Sequence, residues 1–312
     1  MLSIQRILVP TDLSGCADEA LRHAAFLADW HDAELHLLNV AARHMHAYDA
    51  MKEGFPLDDA ALASLLRPDN GAEQHLPALD DLTIEQHQIE HASPAVAIRD
   101  HADEHDFDLV VMGTHGRRGT NRLLMGSVAE DVVRTVHCPT LTVREEAAVP
   151  PGQAVRRILV PIDFSTSSRL ALDHAKELAM TYGAEIHLLH VVEEIAMPAA
   201  YGMEPISFAV PDIIQSSEKA LAEMAEQDIG YEHVQVKSVA GYPATSILDY
   251  IDENDVDLAT IATHGRTGLD RLLLGSVAEK VVRRAACPVF TVKTYGKALV
   301  ASEYTQPSRS EA

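Results

Sequence analysis

The sequence predicts an α/β protein of two tandem, doubly wound domains, each built on a five-stranded parallel sheet. Three observations predict it. The chain repeats itself, short apolar runs alternate with segments of helical period, and turn residues bound those runs, as they do in strands covered on both faces. RILVPTDLS (residues 6–14) returns as RILVPIDFS (157–165), and AELHLLNV (33–40) as AEIHLLHV (184–191). FDLVVMGTHG (107–116) returns as VDLATIATHG (256–265). Order and spacing are kept apart from a small deletion, so two homologous units follow one another.

Taken in order, each unit reads β-α-β-x-β-α-β-α-β. ILVP opens the first unit, and a helix follows whose apolar stripe is Ala20, Leu21, Ala24, Leu27 and Ala28. The matching stripe in the second unit is Leu170, Ala171, Ala175 and Leu178. Strands alternating with helices imply parallel strands and right-handed crossovers. Residues 44–82 and 196–227 are the least regular, each holding a helical pattern (DDAALASLL; SSEKALAEMAEQ) within polar, proline-containing sequence, and both are expected to be partly mobile excursions. The expected boundaries are domain 1 at 1–145, a linker at 146–156 centred on Pro-Pro-Gly, domain 2 at 157–294, and a loose tail at 295–312. Pro-Pro-Gly can continue neither a helix nor a central strand.

The chemistry-bearing string is THGRRGTNRLLMGSVAE, residues 114–130, directly after the apolar run LVVMG. In a doubly wound sheet, ligands sit beyond the carboxyl ends of the strands where the winding reverses. Gly113, Gly116 and Gly126 follow the spacing Gly-x2-Gly-x9-Gly-Ser, and Ser127 opens a helix running to about Val136. Glycines let the backbone approach a ligand or take positive φ, and a helix N-terminus attracts anions. The same residues also read as a capping box, Ser127 with Glu130, which needs no ligand at all. Spacing alone leaves phosphate cradle and capping box both open. The second copy, THGRTGLDRLLLGSVAE (263–279), has Ala262 where the first has Gly113.

With an aspartate just after the first strand and a Cys-Pro-β ending, these motifs resemble the universal stress protein family, over both halves of the chain. The resemblance implies a flavodoxin-like fold and binding of ATP, with or without Mg²⁺, or of another adenine nucleotide. It implies contacts from Pro10, Thr11, Asp12, Val40, Met112, Gly113, Gly116, Gly126, Ser127 and Val128. The matching set in the second copy is Pro161, Ile162, Asp163, Val191, Ile261, Ala262, Gly265, Gly275, Ser276 and Val277. That second site is expected to be weaker. A Cβ at position 262 costs roughly 1 kcal/mol if positive φ is needed, or intrudes on the ribose, and Ile162 removes the Thr11 hydroxyl. Family members dimerise through the last strand. CPTLTV (138–143) and CPVFTV (287–292) could therefore pair within the chain as a pseudo-dimer, alone or within a homodimer.

Arg117 and Arg122, matched by Arg266 and Arg271, lie where phosphates could reach them or simply on a solvated loop. His115 and His264 read as polar loop residues beside the cradle. His44-Met45-His46 lacks the cysteine or carboxylate company a metal site needs, and no metal is expected. Cys138 and Cys287 read as core thiols, and Cys16 as more exposed. No P-loop, nucleophile elbow or GxGxxG after the first strand occurs, so no catalytic residue is assigned. The net charge of −22 disfavours nucleic acid, and no apolar run is long enough to span a membrane. Three scattered cysteines and no signal layout point to the cytoplasm. The expected output is regulatory, with nucleotide ordering loop 117–125 and changing a surface read by an unidentified protein partner. The alternatives are a nucleotide-independent interaction module of the same fold and a slow ATP hydrolase.

Overall fold

The structure is a computed structural model and describes residues 2–42, 54–66, 77–116, 125–144, 155–193, 210–264 and 274–301. The first unit runs β1 (Arg6–Pro10), α1 (Gly15–His31), β2 (Glu34–Ala42), α2 (Asp59–Leu66), β3 (Ile84–His91), α3 (Pro94–Glu104), β4 (Leu109–Gly113), α4 (Ser127–Thr135) and β5 (Thr140–Val143). The second repeats it as β6 (Arg157–Pro161), α5 (Thr166–Tyr182), β7 (Glu185–Glu193), α6 (Val210–Met224), β8 (Val234–Gly241), α7 (Pro243–Glu253), β9 (Leu258–Ala262), α8 (Ser276–Arg284) and β10 (Val289–Val292). Both helical patterns in the irregular segments form, as α2 and α6.

Each half is a parallel five-stranded sheet, and the halves join through antiparallel β5 and β10. The result is one ten-stranded sheet of order β3-β2-β1-β4-β5-β10-β9-β6-β7-β8. The Cys-Pro strands thus pair within the chain, with Leu141 opposite Phe290 and Thr140 opposite Thr291. The Thr140 and Thr291 hydroxyls meet at 2.5 Å in the buried seam. Pairing removes what would otherwise be two exposed sheet edges.

Alternation along each strand feeds two cores. Ile7, Val9, Leu109 and Val111 belong to a core shared with residues of α1, α2, α5 and α6, while Leu8, Val110 and Met112 belong to one shared with residues of α3, α4, α7 and α8. Burial of each such side chain contributes roughly 1.5–3 kcal/mol. A repeated device pins β1 and β6 in register. Asp108 Oδ2 accepts from the Gln5 and Arg6 amides at 2.7 and 2.9 Å, and Asp257 Oδ2 accepts from the Arg156 and Arg157 amides at the same distances.

The tail differs from expectation. Residues 295–301 pack against both units, while the rest of the expected tail lies outside the described residues. Lys293 is buried and donates to the Val136 carbonyl, Lys297 pairs with Asp108 at 2.7 Å, and Leu299 is 1% exposed. The Leu299 amide donates to His174 Nε2 at 3.1 Å, and its carbonyl accepts from the Ser3 amide. A Cβ on Gly296 would overlap the His137 carbonyl, so only glycine passes there.

Candidate functional site

β1 and β4 are neighbours, and the chain leaves β1 towards β2 but arrives at β4 on the other side. Their carboxyl ends therefore flank the switch point. Thr11 follows β1; its amide donates to the Leu38 carbonyl and its hydroxyl accepts from the Leu13 amide at 3.0 Å. Asp12 Oδ1 accepts from the Ser14 amide at 3.2 Å. Leu13 has φ 59°, a left-handed conformation unusual for leucine. It turns the chain into α1, where the Ser14 hydroxyl caps the helix by accepting from the Ala17 amide. The second unit repeats the turn, with Phe164 at φ 63° and Ser165 as the cap. Nothing in DLS or DFS announces the left-handed residue; tertiary packing imposes it.

The glycines sit where neighbours approach. A Cβ at Gly116 would fall 2.4 Å from Asp12 Oδ2, so the glycine string and the aspartate share one place. At Gly113 it would meet Cys16 Sγ at 2.8 Å and the Cys16 carbonyl carbon and oxygen at 2.9 Å. Gly113 does not have positive φ, which corrects that part of the explanation for Ala262. The glycine is required by the close approach of α1. Cys16 is correspondingly buried, not exposed, and its thiol donates to the Val143 carbonyl at 3.2 Å. Cys138 and Cys287 are buried as expected, and burial pushes both thiols up to about 12.

Helix α4 begins without a side-chain cap. Gly126 is the N-cap, donating its amide to the Thr114 carbonyl at 2.7 Å, and Ser127 is the first helical residue and exposed. The capping box does not form, because Gly126 and not Ser127 holds the N-cap position, and Glu130 pairs across the domain seam with Arg283 at 2.9 Å. Helix α8 starts the same way, with Gly275 as N-cap and the Gly275 amide on the Thr263 carbonyl. First-turn amides and an exposed serine hydroxyl thus face the switch point in each copy. His115 Nδ1 meets the Thr114 hydroxyl at 2.9 Å, and His264 Nδ1 meets Thr263 at 3.0 Å, which makes both loop-bracing groups.

Apolar members of the predicted set gather on the α3–α4 side. Met112 is buried, with Val40 and Val128 packed against the same core, and Ile261, Val191 and Val277 repeat this in the second copy. Pro10 and Pro161 close their strands beneath. The copies differ in polarity. Asn39 Nδ2 donates to the Thr11 carbonyl at 2.9 Å, and Asn39 Oδ1 accepts from Gln88 Nε2 at 3.2 Å. In the second copy His190 Nδ1 donates to the Ile162 carbonyl at 2.7 Å, and the His190 ring lies tilted by 50° against Phe164. Asp163 Oδ1 accepts from both the amide and the hydroxyl of Ser165, at 3.0 and 2.5 Å. Arg117, Arg122, Gly265, Arg266, Arg271 and the His44-Met45-His46 triplet lie outside the described residues.

Fold and site together define a tandem pair of doubly wound domains with a glycine-serine cradle at each switch point. The sequence profile of the universal stress protein family matches residues 3–144 and 154–293, and the chain belongs to that family. It is 36% identical over 141 residues to a universal stress protein of Methanocaldococcus jannaschii, covering 44% of this chain and 82% of that protein. A universal stress protein of Mycolicibacterium smegmatis is 26% identical over 297 residues, 92% of this chain and 96% of that protein. Among solved structures, a universal stress protein from Archaeoglobus fulgidus superposes with a TM-score of 0.64 at 23% identity, over 92% of this chain and 96% of that one. That likeness bears on the fold alone. No helix among the described residues is long and apolar enough to cross a membrane.

Proposed function

We propose that the first unit binds an adenine nucleotide, ATP foremost and with Mg²⁺ where it accompanies the phosphates, as a regulatory component of a stress response. The observation that carries this reading is the uncapped start of α4. Its first-turn amides and the Ser127 hydroxyl stand at the switch point while Glu130, the group that could have closed a capping box, is held by Arg283. Asp12 lies against Gly116 on the facing side, suited to accept from ribose or adenine, and Val40, Met112 and Val128 supply an apolar wall. Arg117 is assigned to the phosphates. Occupancy would act through the loop joining Gly116 to Gly126 on a protein partner. The second unit is the weaker site, because Ile162 replaces Thr11 and Asp163 already accepts twice from Ser165.

A second reading, a nucleotide-independent interaction module, draws on one observation. Each of Gly113, Gly116 and Gly126 has a neighbour within the fold that explains it. Calorimetry of the full chain with ATP and Mg²⁺ separates the two. One equivalent should bind, and Asp12→Ala should weaken it about 10- to 100-fold by removing a charged acceptor. Asp163→Ala should leave it unchanged. No binding at millimolar ATP would select the interaction module, and two equivalents would refute the weaker second site.

A further inference from the structure

The outer edge of the first unit carries a group the nucleotide reading does not use. β2 and β3 pair in parallel with His36 opposite Glu85 and Leu38 opposite His87, so His36, Glu85 and His87 share one face of the sheet. His36 Nδ1 lies 3.1 Å from His87 Nε2 and 3.5 Å from Glu85 Oε2, and His87 Nε2 lies 3.5 Å from the same oxygen. Zinc bonds of 2.0–2.1 Å at tetrahedral angles place ligand atoms about 3.3 Å apart. The triangle has the dimensions of one face of that tetrahedron. Among the described residues it is the one group of three such side chains whose ligand atoms converge.

Proton accounting points the same way. His36 Nε2 faces Glu34 Oε2 at 3.4 Å, and an ionised carboxylate only accepts, so Nε2 carries the proton. In a neutral ring Nδ1 then presents a lone pair, and it presents it 3.5 Å from the Glu85 carboxylate, another acceptor. Without a cation, the His87 Nε2 proton fills that gap at 3.1 Å; with that proton moved to His87 Nδ1, all three atoms present lone pairs to one point. A carboxylate holding the far nitrogen of a ligating imidazole is also the support such ligands usually have.

The second unit supplies an internal contrast. His187 and Glu185 occupy the positions of His36 and Glu34 and keep their contact at 3.1 Å. Gln235 stands opposite His187, however, and Lys237 opposite Leu189, where the first unit has Glu85 and His87. His187 Nδ1 is instead satisfied by Tyr250 at 3.0 Å, and the eighth residue of α3, His101, matches Tyr250 in α7. One copy satisfies its histidine with a phenol and carries a lysine, paired with Glu218, at the position of His87. The other leaves three ligands converging.

We propose that His36 Nδ1, His87 Nε2 and Glu85 bind one divalent zinc ion at the sheet edge, with Glu34 orienting His36 and water completing the coordination. Nitrogen donors with a single carboxylate favour zinc over magnesium, so this site is distinct from the nucleotide's metal. The side chains are accessible, since Glu85 is 56% and His87 33% exposed.

The test uses the full chain, stripped with chelator and titrated with Zn²⁺ by calorimetry, with Co²⁺ as optical probe. The expected result is one equivalent bound below about 10 μM, and intense visible bands of four-coordinate Co²⁺. The double substitution Glu85→Gln/His87→Lys, which installs the second unit's residues, should abolish that equivalent while circular dichroism stays unchanged. Glu34→Gln should keep one equivalent but weaken it 10- to 100-fold. Should the double variant misfold, His87→Gln alone must show the loss. Absence of zinc uptake by the wild-type chain, wild-type affinity in the folded variants, or the weak bands of six-coordinate Co²⁺ would each overturn the proposal.

Discussion

A Cβ at position 113 would sit within 2.9 Å of three Cys16 atoms, two of them backbone. Real side chains do not pack that closely, so Gly113→Ala must push α1 away from β4. Overpacking of this kind costs about 1–3 kcal/mol, and urea unfolding should show it. The second unit has already accommodated the methyl: it carries Ala262 at the position of Gly113 and Ser167 at that of Cys16, with oxygen in place of sulfur. Cys16→Ser should therefore recover part of the Gly113→Ala loss, a coupling that a double-mutant cycle measures. Additivity of the two substitutions would refute the steric account. The glycine itself stands out in the sequence; its reason does not, because Cys16 is distant along the chain and meets Gly113 only once α1 packs across β4.

At the scale of the element, the helix starts divide into two kinds. α1 and α5 are capped by Ser14 and Ser165, which accept from Ala17 and Ser168 at 3.3 and 3.2 Å. Ser14→Ala and Ser165→Ala should each lower stability by about 1 kcal/mol. α4 begins at Gly126 with Ser127 already inside the helix and exposed. Ser127→Ala should then change stability by less than about 0.5 kcal/mol while weakening ATP several-fold. Urea midpoints and calorimetry on the three variants check this, and a stability loss at Ser127 equal to that at Ser14 would restore the capping box. Local spacing could not separate the two kinds. Ser-x-x-Glu is present in the chain, but Glu130 spends its carboxylate on Arg283 of the other domain.

At the scale of the molecule, the seam and the tail join both units. His174, in α5, donates from Nδ1 to the Leu170 carbonyl and accepts the Leu299 amide at Nε2, so its function as a clasp requires the neutral ring. Burial pushes His174 down to about 4, and burial with the neighbouring Arg22 does the same to His23. The unfolded chain takes up these protons near pH 6.5, the folded chain only near 4. Stability is thus fully present above about 6.5 and lost as pH falls towards 4, by roughly 3 kcal/mol per histidine. Urea midpoints should fall across that window, and the protection factor of the Leu299 amide, corrected for the intrinsic exchange rate at each pH, should fall with them. His174→Gln should be less stable at pH 7 and shallower in its pH dependence; an unchanged slope would refute the clasp.

The repeat, the alternation of strands and helices and the glycine-serine spacing were legible in the sequence, because backbone period and duplication are local properties of the chain. The pairing of the two Cys-Pro strands followed from the family resemblance, and the structure forms it within the chain. Convergence was decided by the tertiary structure alone. Asp12 reaches Gly116, His36 meets His87, Glu130 finds Arg283 and Leu299 returns to His174 because parallel crossovers and the seam bring distant segments side by side. No spacing within a segment encodes contacts whose partners are chosen by the packing of layers.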